Sequence, residues 1–189
     1  GVAVSSYNTM DSHSSSTINL ENVFVTEANL IVHEGEGFRH IESCLPQILL
    51  CLSAEALGIM EVLNKLTVEY SKTRKQFGAP IGSFQALQHR MVDNFMAFEQ
   101  SKSMVYRGIC ESTSFNKNDI DINQFLKTAH AVKALIAKNS KQIGDESIQI
   151  HGGIGMTDEL NIGHFVKRLM MINVLFGDGD FHRQCFSQN

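Results

Sequence analysis

Neither sign of charge dominates this 189-residue chain: Lys and Arg number 16, Asp and Glu 20, and the formal net charge is −4. A basic stripe able to grip nucleic acid or an anionic membrane is therefore missing, and those partners are not expected. The four cysteines, at positions 44, 51, 110 and 185, have no CxxC or Cys/His ligand spacing, so no zinc site is expected. Their helical, apolar contexts suggest buried reduced thiols in a reducing compartment. His130, His151, His164 and His182 are scattered without ligand spacing, and metal binding is not expected. No apolar run reaches the roughly 18–20 residues of a membrane span, the longest candidate, Leu45 to Ala54, being broken by Pro46, Gln47 and Ser53. A secretory leader and internal repeats are likewise missing. The chain opens on Gly1-Val2 rather than Met, as expected of a processed or partial chain.

What is present divides into two patterns. Serines crowd the start, and Thr17 to Val25 alternates apolar with polar residues, as a half-buried strand does. A strand of this length cannot stand alone, so it is expected to belong to a sheet whose other members lie upstream. From Phe38 onward the periodicity is helical. A long helix is expected over Leu45 to Arg74, with Pro46 and Gly58 as weak breakers. Ser83 is a candidate N-cap for a second helix with apolar positions 84, 87, 91, 95 and 98, ending near Cys110. Residues 112–118 read as a turn. A third helix from about Asp121 carries Phe125, Ala129, Val132, Ile136 and Ile143 on one face and stops at Gly152-Gly153. A fourth, Leu160 to Leu175, is interrupted by Gly163. Four amphipathic segments with short connections predict a mainly α fold, an antiparallel four-helix bundle with a short β appendage.

Two junctions carry candidate chemistry. In Arg74-Lys75-Gln76-Phe77-Gly78-Ala79-Pro80-Ile81-Gly82-Ser83-Phe84-Gln85-Ala86-Leu87-Gln88, an arginine at a helix end is followed by a Gly/Pro turn and two glutamines. An Arg fork can meet a pyrophosphate and Gln amides can meet flavin or adenine edges. The plainer reading is an exposed terminus where Arg74 counters the helix dipole. The second junction, Gln149-Ile150-His151-Gly152-Gly153-Ile154-Gly155-Met156-Thr157-Asp158-Glu159, reads as a helix end running into a turn of bare backbone N–H groups. Such backbone suits a phosphate-bearing cofactor, or serves as a simple helix stop.

The first junction resembles the R-x-Q-F-G-x-P-I-x-x-F-Q-x-x-Q signature of the acyl-CoA dehydrogenase family, and the second resembles that family's Q-x-x-G-G-x-G-x-T-x-E signature. The two occur in the family's order and spacing, within a likeness running from about Ser14 to Arg183. The resemblance implies that residues 1–35 are a remnant of the middle β-domain and 36–189 the C-terminal four-helix-bundle domain. It implies FAD shared across a dimer interface, with Arg74, Gln76, Phe77 and Gln85 at one part of the cofactor and Gln149, Gly152 and Gly153 at its adenosine and pyrophosphate end. It also implies an acyl-CoA substrate, a homo- or hetero-oligomer (dimer or tetramer) and an external electron acceptor. The location implied is the bacterial cytoplasm or the mitochondrial matrix.

The family's reaction needs a carboxylate to take the α-proton while the β-hydrogen leaves as hydride to flavin. Most members carry a Glu just before the Gly of an E-G-T-x-E/Q segment, and here that position is Phe176, in Phe176-Gly177-Asp178-Gly179-Asp180. Other members place the base on the first long helix, at a position matching about Ile48, next to a CoA-holding arginine whose counterpart is Leu49. A phenyl ring accepts no proton, and neither does an aliphatic chain. Three explanations stay open: Asp178 or Asp180 serves as base, a related partner subunit supplies it, or the chain is a non-catalytic assembly module. Both aspartates are also ordinary turn formers. Glu55, on an otherwise apolar stretch, is expected to be partly buried and to need a cationic partner.

Overall fold

The computed structural model describes residues 1–117 and 119–188 and divides into two compact units, with the boundary in sequence between Leu45 and Pro46. The first unit carries β1 (Val2–Asn8) and β2 (Ser14–Leu20), an antiparallel hairpin in register from Val2 opposite Leu20 to Asn8 opposite Ser14. Ser12 takes a positive φ of 65° in its turn, where the Thr9 hydroxyl bonds the Asp11 carboxylate. The expected strand over 17–25 is thus early by three residues and ends at Leu20. The serine-rich start, read only for its composition, supplies β1 and the first residues of β2. Within this unit Val2, Val4, Ile18 and Leu20 stay exposed, since a lone hairpin has nothing to bury them against.

The second unit is helical. Helix α1 (Gly37–Thr73) starts eight residues before the expected point and passes through Pro46 without breaking. Its length and composition suffice to cross a bilayer, a property not visible in uninterrupted apolar runs. Its face of Leu50, Ala56, Met60 and Leu63 nevertheless joins the bundle core. Leu49, where the resemblance implied the counterpart of a CoA-holding arginine, is fully buried, and Ile48 beside it is half-buried.

A short hairpin, β3 (Lys75–Gln76) with β4 (Ala79–Pro80), leads to α2 (Gln85–Asn116). Ser83 is not the N-cap: Phe84 holds that position without a side-chain bond, and the Ser83 hydroxyl donates to the Pro80 carbonyl at 2.7 Å. The buried stripe of α2 is Asn94, Ala97, Phe98, Ser101, Val105 and Gly108, so Phe95 points outward, contrary to expectation. Apolar spacing alone misassigns this face because half of its inward positions are polar or glycine. The expected turn at 112–118 is helical through Asn116, since Phe115 stacks on Phe125 with centroids 5.4 Å apart; Asn118 lies outside the described residues.

Helix α3 (Ile122–His151) starts as expected, capped by Asp121, whose Oδ1 accepts the Gln124 N–H at 2.8 Å. All five residues of its expected inner face are buried. Helix α4 (Ile162–Val174) runs through Gly163 without interruption, and a further helix, α5 (Gly179–Gln188), packs on α3. The core joins α1 to α4 through Met60, Leu63, Val105, Phe125, Ile136, Ile143, Ile162 and Ile172, each side chain contributing roughly 1.5–3 kcal/mol. Two ion pairs tie the helices outside it: Arg90 Nε to Glu146 at 2.5 Å, and Arg168 to Glu55 through bonds of 2.5 and 2.8 Å. Glu55 thus has the cationic partner its sequence asked for, although it sits on the surface rather than partly buried. Cys44, Cys51 and Cys110 are exposed, not buried, because each falls on the outer face of its helix, while Cys185 is half-buried.

Candidate cofactor site

Both candidate junctions lie at one end of the bundle, and an aromatic contact holds them together. Tyr70, one turn before Arg74, stacks on His151 with ring centroids 4.4 Å apart, and its hydroxyl donates to the His151 carbonyl at 3.3 Å. The His151 ring is buried and fixed by Nδ1 against the Ser147 carbonyl at 2.7 Å. An adjoining cavity of about 390 Å³ is lined by Tyr70, Thr73, His151, Glu159 and Asn161 among others.

Arg74 closes α1, its N–H bonded to the Tyr70 carbonyl at 2.9 Å, while its exposed guanidinium has no hydrogen-bond or ionic partner among the described residues. The hairpin beyond it turns on Phe77 and Gly78, both at positive φ (53° and 81°), as a two-residue turn matching strand twist requires. Phenylalanine is an unfavourable choice there, and its ring is 94% exposed. Gln76 and Gln85 are exposed beside it. Gln149 is exposed in the last turn of α3. Gly152 ends that helix at φ 66°, ψ −146°, a region open almost only to glycine, and its N–H bonds the Ile148 carbonyl. A Cβ on Gly152 or Gly153 would meet no atom within 4 Å, so both present bare backbone. Gly155 is different: its Cβ would lie 3.0 Å from that of His151, so it is a packing glycine. All seven residues expected to contact a cofactor are thus exposed, and the Tyr70 to His151 contact joins their two groups.

The position at which the resemblance led us to expect the base lies in the link from α4 to α5. Val174 to Gly177 forms a turn closed by the Gly177 N–H and the Val174 carbonyl at 3.3 Å, with Phe176 at φ 59° and its ring half exposed. Asp178 caps α5, Oδ1 accepting the Phe181 N–H at 2.8 Å. Asp180 pairs on the surface with Arg183 at 3.1 Å.

Beneath this turn lies a cluster that sequence reading did not assemble. Lys133 is fully buried and donates from Nζ to the carbonyls of Asn173 (3.2 Å) and Gly177 (3.1 Å). Burial lowers its pKa to about 8, opposed by the charge of Asp178. His182, also fully buried, shares a 2.8 Å Nδ1 to Nδ1 hydrogen bond with His130. Burial first, then the charges of Lys133 and His130, push the His182 pKa down to about 4, while backbone groups of Phe176 and Gly177 pull the other way. Burial also lowers that of His130. A lysine on the inner face of α3, between Ala129 and Ile136, was the available signal.

The sequence profile described as "Acyl-CoA dehydrogenase, C-terminal domain" matches residues 35–189. The chain belongs to the acyl-CoA dehydrogenase family. A 2-methylacyl-CoA dehydrogenase of mitochondria from Solanum tuberosum is 30% identical over 163 residues, 86% of this chain and 38% of that protein. Acyl-CoA dehydrogenase IpdE2 of Mycolicibacterium smegmatis is 40% identical over 119 residues, 63% of this chain and 34% of that protein. The solved structure "PigA with FAD and proline" superposes with a TM-score of 0.87 at 26% identity, over 100% of this chain and 48% of that one. The chain therefore spans less than half the length of each of these relatives. Over that span it has the family's helical C-terminal bundle, as expected.

Proposed function

We propose that the chain is the helical domain of an FAD-dependent acyl-CoA dehydrogenase-like flavoprotein, whose complete form removes the α- and β-hydrogens of an acyl-CoA thioester and passes the electrons to an external acceptor. The observation that carries this reading is the meeting of the two signature junctions at one end of the bundle, through Tyr70 and His151. The residues suit the cofactor. Arg74 offers an unpaired guanidinium to a pyrophosphate, Gly152 and Gly153 let it approach bare backbone, and the exposed Phe77 ring offers a flat surface. Gln76, Gln85 and Gln149 supply amides for polar edges. Flavin, when bound, supplies the hydride acceptor. All these groups are exposed, as expected of a half-site completed by a second protomer, so a dimer or larger homo- or hetero-oligomer belongs to the reading. Residues 1–35 are then the end of a preceding β-domain. The bacterial cytoplasm or the mitochondrial matrix belongs to the same reading, one of the relatives being a mitochondrial enzyme.

The proton acceptor is the departure. Phe176 stands in the usual place, and one oxygen of Asp178 is committed to capping α5. We therefore assign the base to a related partner subunit, with Asp178 as the competing choice. The same replacement favours a second reading, a non-catalytic assembly module, to which the exposed apolar row of Val92, Phe95, Met96, Tyr106 and Ile109 on α2 lends a contact surface.

The reading is tested by flavin retention. Full-length protein is expected to purify yellow, and Arg74→Ala to weaken FAD binding by about tenfold or more, the value of a charge-assisted hydrogen bond. A colourless full-length protein supports the assembly module instead. Absorbance of the flavin after gel filtration gives the answer.

A further inference from the structure

The turn that carries Phe176 is gripped from beneath by one side chain. Helix α4 ends on Asn173 and Val174, and the last four carbonyls of a helix have no partner within it. Lys133 of α3 meets one of them, donating to the Asn173 carbonyl at 3.2 Å, and reaches across the turn to the Gly177 carbonyl at 3.1 Å. Its ammonium is thus tied to backbone on either side of Leu175 and Phe176. With a pKa of about 8 it keeps its charge at neutral pH, so both bonds are charge-assisted, and a cation at a helix C-terminus also answers the dipole. From the opposite side α5 closes in: a Cβ on Gly177 would lie 2.5 Å from Cδ1 of Phe181 and 3.1 Å from Nε2 of His182. Between these walls Phe176 holds a φ of 59°, a backbone region that a bulky residue leaves unless its surroundings keep it there.

We propose that Lys133 is a positioning residue, whose hold on the Asn173 and Gly177 carbonyls sets the direction in which residue 176 leaves the α4 to α5 turn. The inference deepens the proposed function and rests on it in one respect, that this turn faces the bound substrate. Because the grip is on backbone, it acts whatever side chain stands at 176. It holds the Phe176 ring outward, 53% exposed, and would hold a carboxylate at the same place in the same direction. Asp178 follows directly after the second bond, so its cap on α5 inherits the same placement. A lysine is seldom fully buried, and filling space on the inner face of α3 needs no ammonium, since apolar side chains do so on the turns before and after it. What only the ammonium supplies is donors for two carbonyls at once.

Fluorine NMR of the full-length protein, with para-trifluoromethyl-phenylalanine in place of Phe176, tests the proposal. With Lys133 present, one narrow resonance is expected, displaced from its position in the urea-denatured chain. Lys133→Met keeps the stem and removes the donors; it should split the resonance or broaden it about twofold or more, and draw it toward the denatured position, as a turn with several conformers does. The same label at Phe165, earlier on α4 and packed on the core, should keep its position in that variant. Lys133→Gln, which carries a donor on a shorter stem, should fall between the two and serves should Lys133→Met fail to fold. The proposal is overturned if the signal at 176 is already split or denatured-like with Lys133 in place, or if the Lys133 variants leave it unmoved. It is also overturned if the labels at 176 and 165 move together, since Lys133 would then support the whole bundle rather than the turn. The measurement needs neither flavin nor turnover, so a colourless protein counts against the proposed function and leaves this result readable.

Discussion

Phe77 and His182 each hold a state that their side chains resist. Phe77 spends about 1–2 kcal/mol on a left-handed backbone and keeps its ring in water, a combination that suits contact better than stability. Phe77→Asn should stabilise the protein by about 1 kcal/mol in urea denaturation, asparagine being favoured in such turns, while lowering FAD retention. His182 is held neutral inside the bundle. An unfolded chain takes a proton on this ring near pH 6.5, whereas the folded one resists until about pH 4. Its stabilising contribution is therefore complete above pH 6.5 and declines by on the order of 3 kcal/mol as the pH falls toward 4. Urea midpoints measured at pH 7 and pH 4.5 should reveal this loss, and His182→Gln should flatten it. The two residues also differ in legibility. Phe77 could be read because its neighbours in space are its neighbours in sequence. His130, Lys133 and His182 meet only because α5 folds back on α3, and no local spacing announces that.

At the level of elements, helix ends set by glycine were readable and helix faces carrying polar groups were not. The stop of α3 follows from Gly152, whose backbone region excludes side chains. Gly152→Ala should cost roughly 1–3 kcal/mol for that reason alone, since no atom opposes the new methyl. Gly153→Ala, at an ordinary φ and equally open, should stay within about 0.5 kcal/mol. Thermal melts of the two variants separate backbone strain from packing. If Gly153→Ala also loses flavin at unchanged stability, the bare backbone there is a contact surface. The inner faces of α1 and α2 were harder to read. Asn94, Ser101, Thr67 and Ser71 point inward, so a pattern of apolar spacing places Phe95 inside and is wrong by one residue. The early start of α1 was hidden by Pro46, which suggests a boundary that the helix does not respect.

For the whole molecule, the four-helix architecture was legible from periodicity and the family from two long signatures. On the proposed reading, assembly supplies the catalytic base. Asparagine caps a helix as well as aspartate, so Asp178→Asn removes the charge and keeps the α5 cap. With the base in a partner subunit, this variant of the assembled protein should turn over substrate unchanged. Loss of turnover with flavin still bound would assign the base to Asp178. Steady-state rates beside the flavin spectrum distinguish the two outcomes.

The fold-back of α5 also imposes an order on synthesis. Gly179 comes so close to α3 that a Cβ there would lie 2.8 Å from that of Ala137, and His182 reaches His130 across 52 positions of sequence. A nascent chain that has emerged from the ribosome only as far as α4 therefore displays a helix with His130 and Ala137 uncovered. That flank of the bundle can close only after translation has delivered α5.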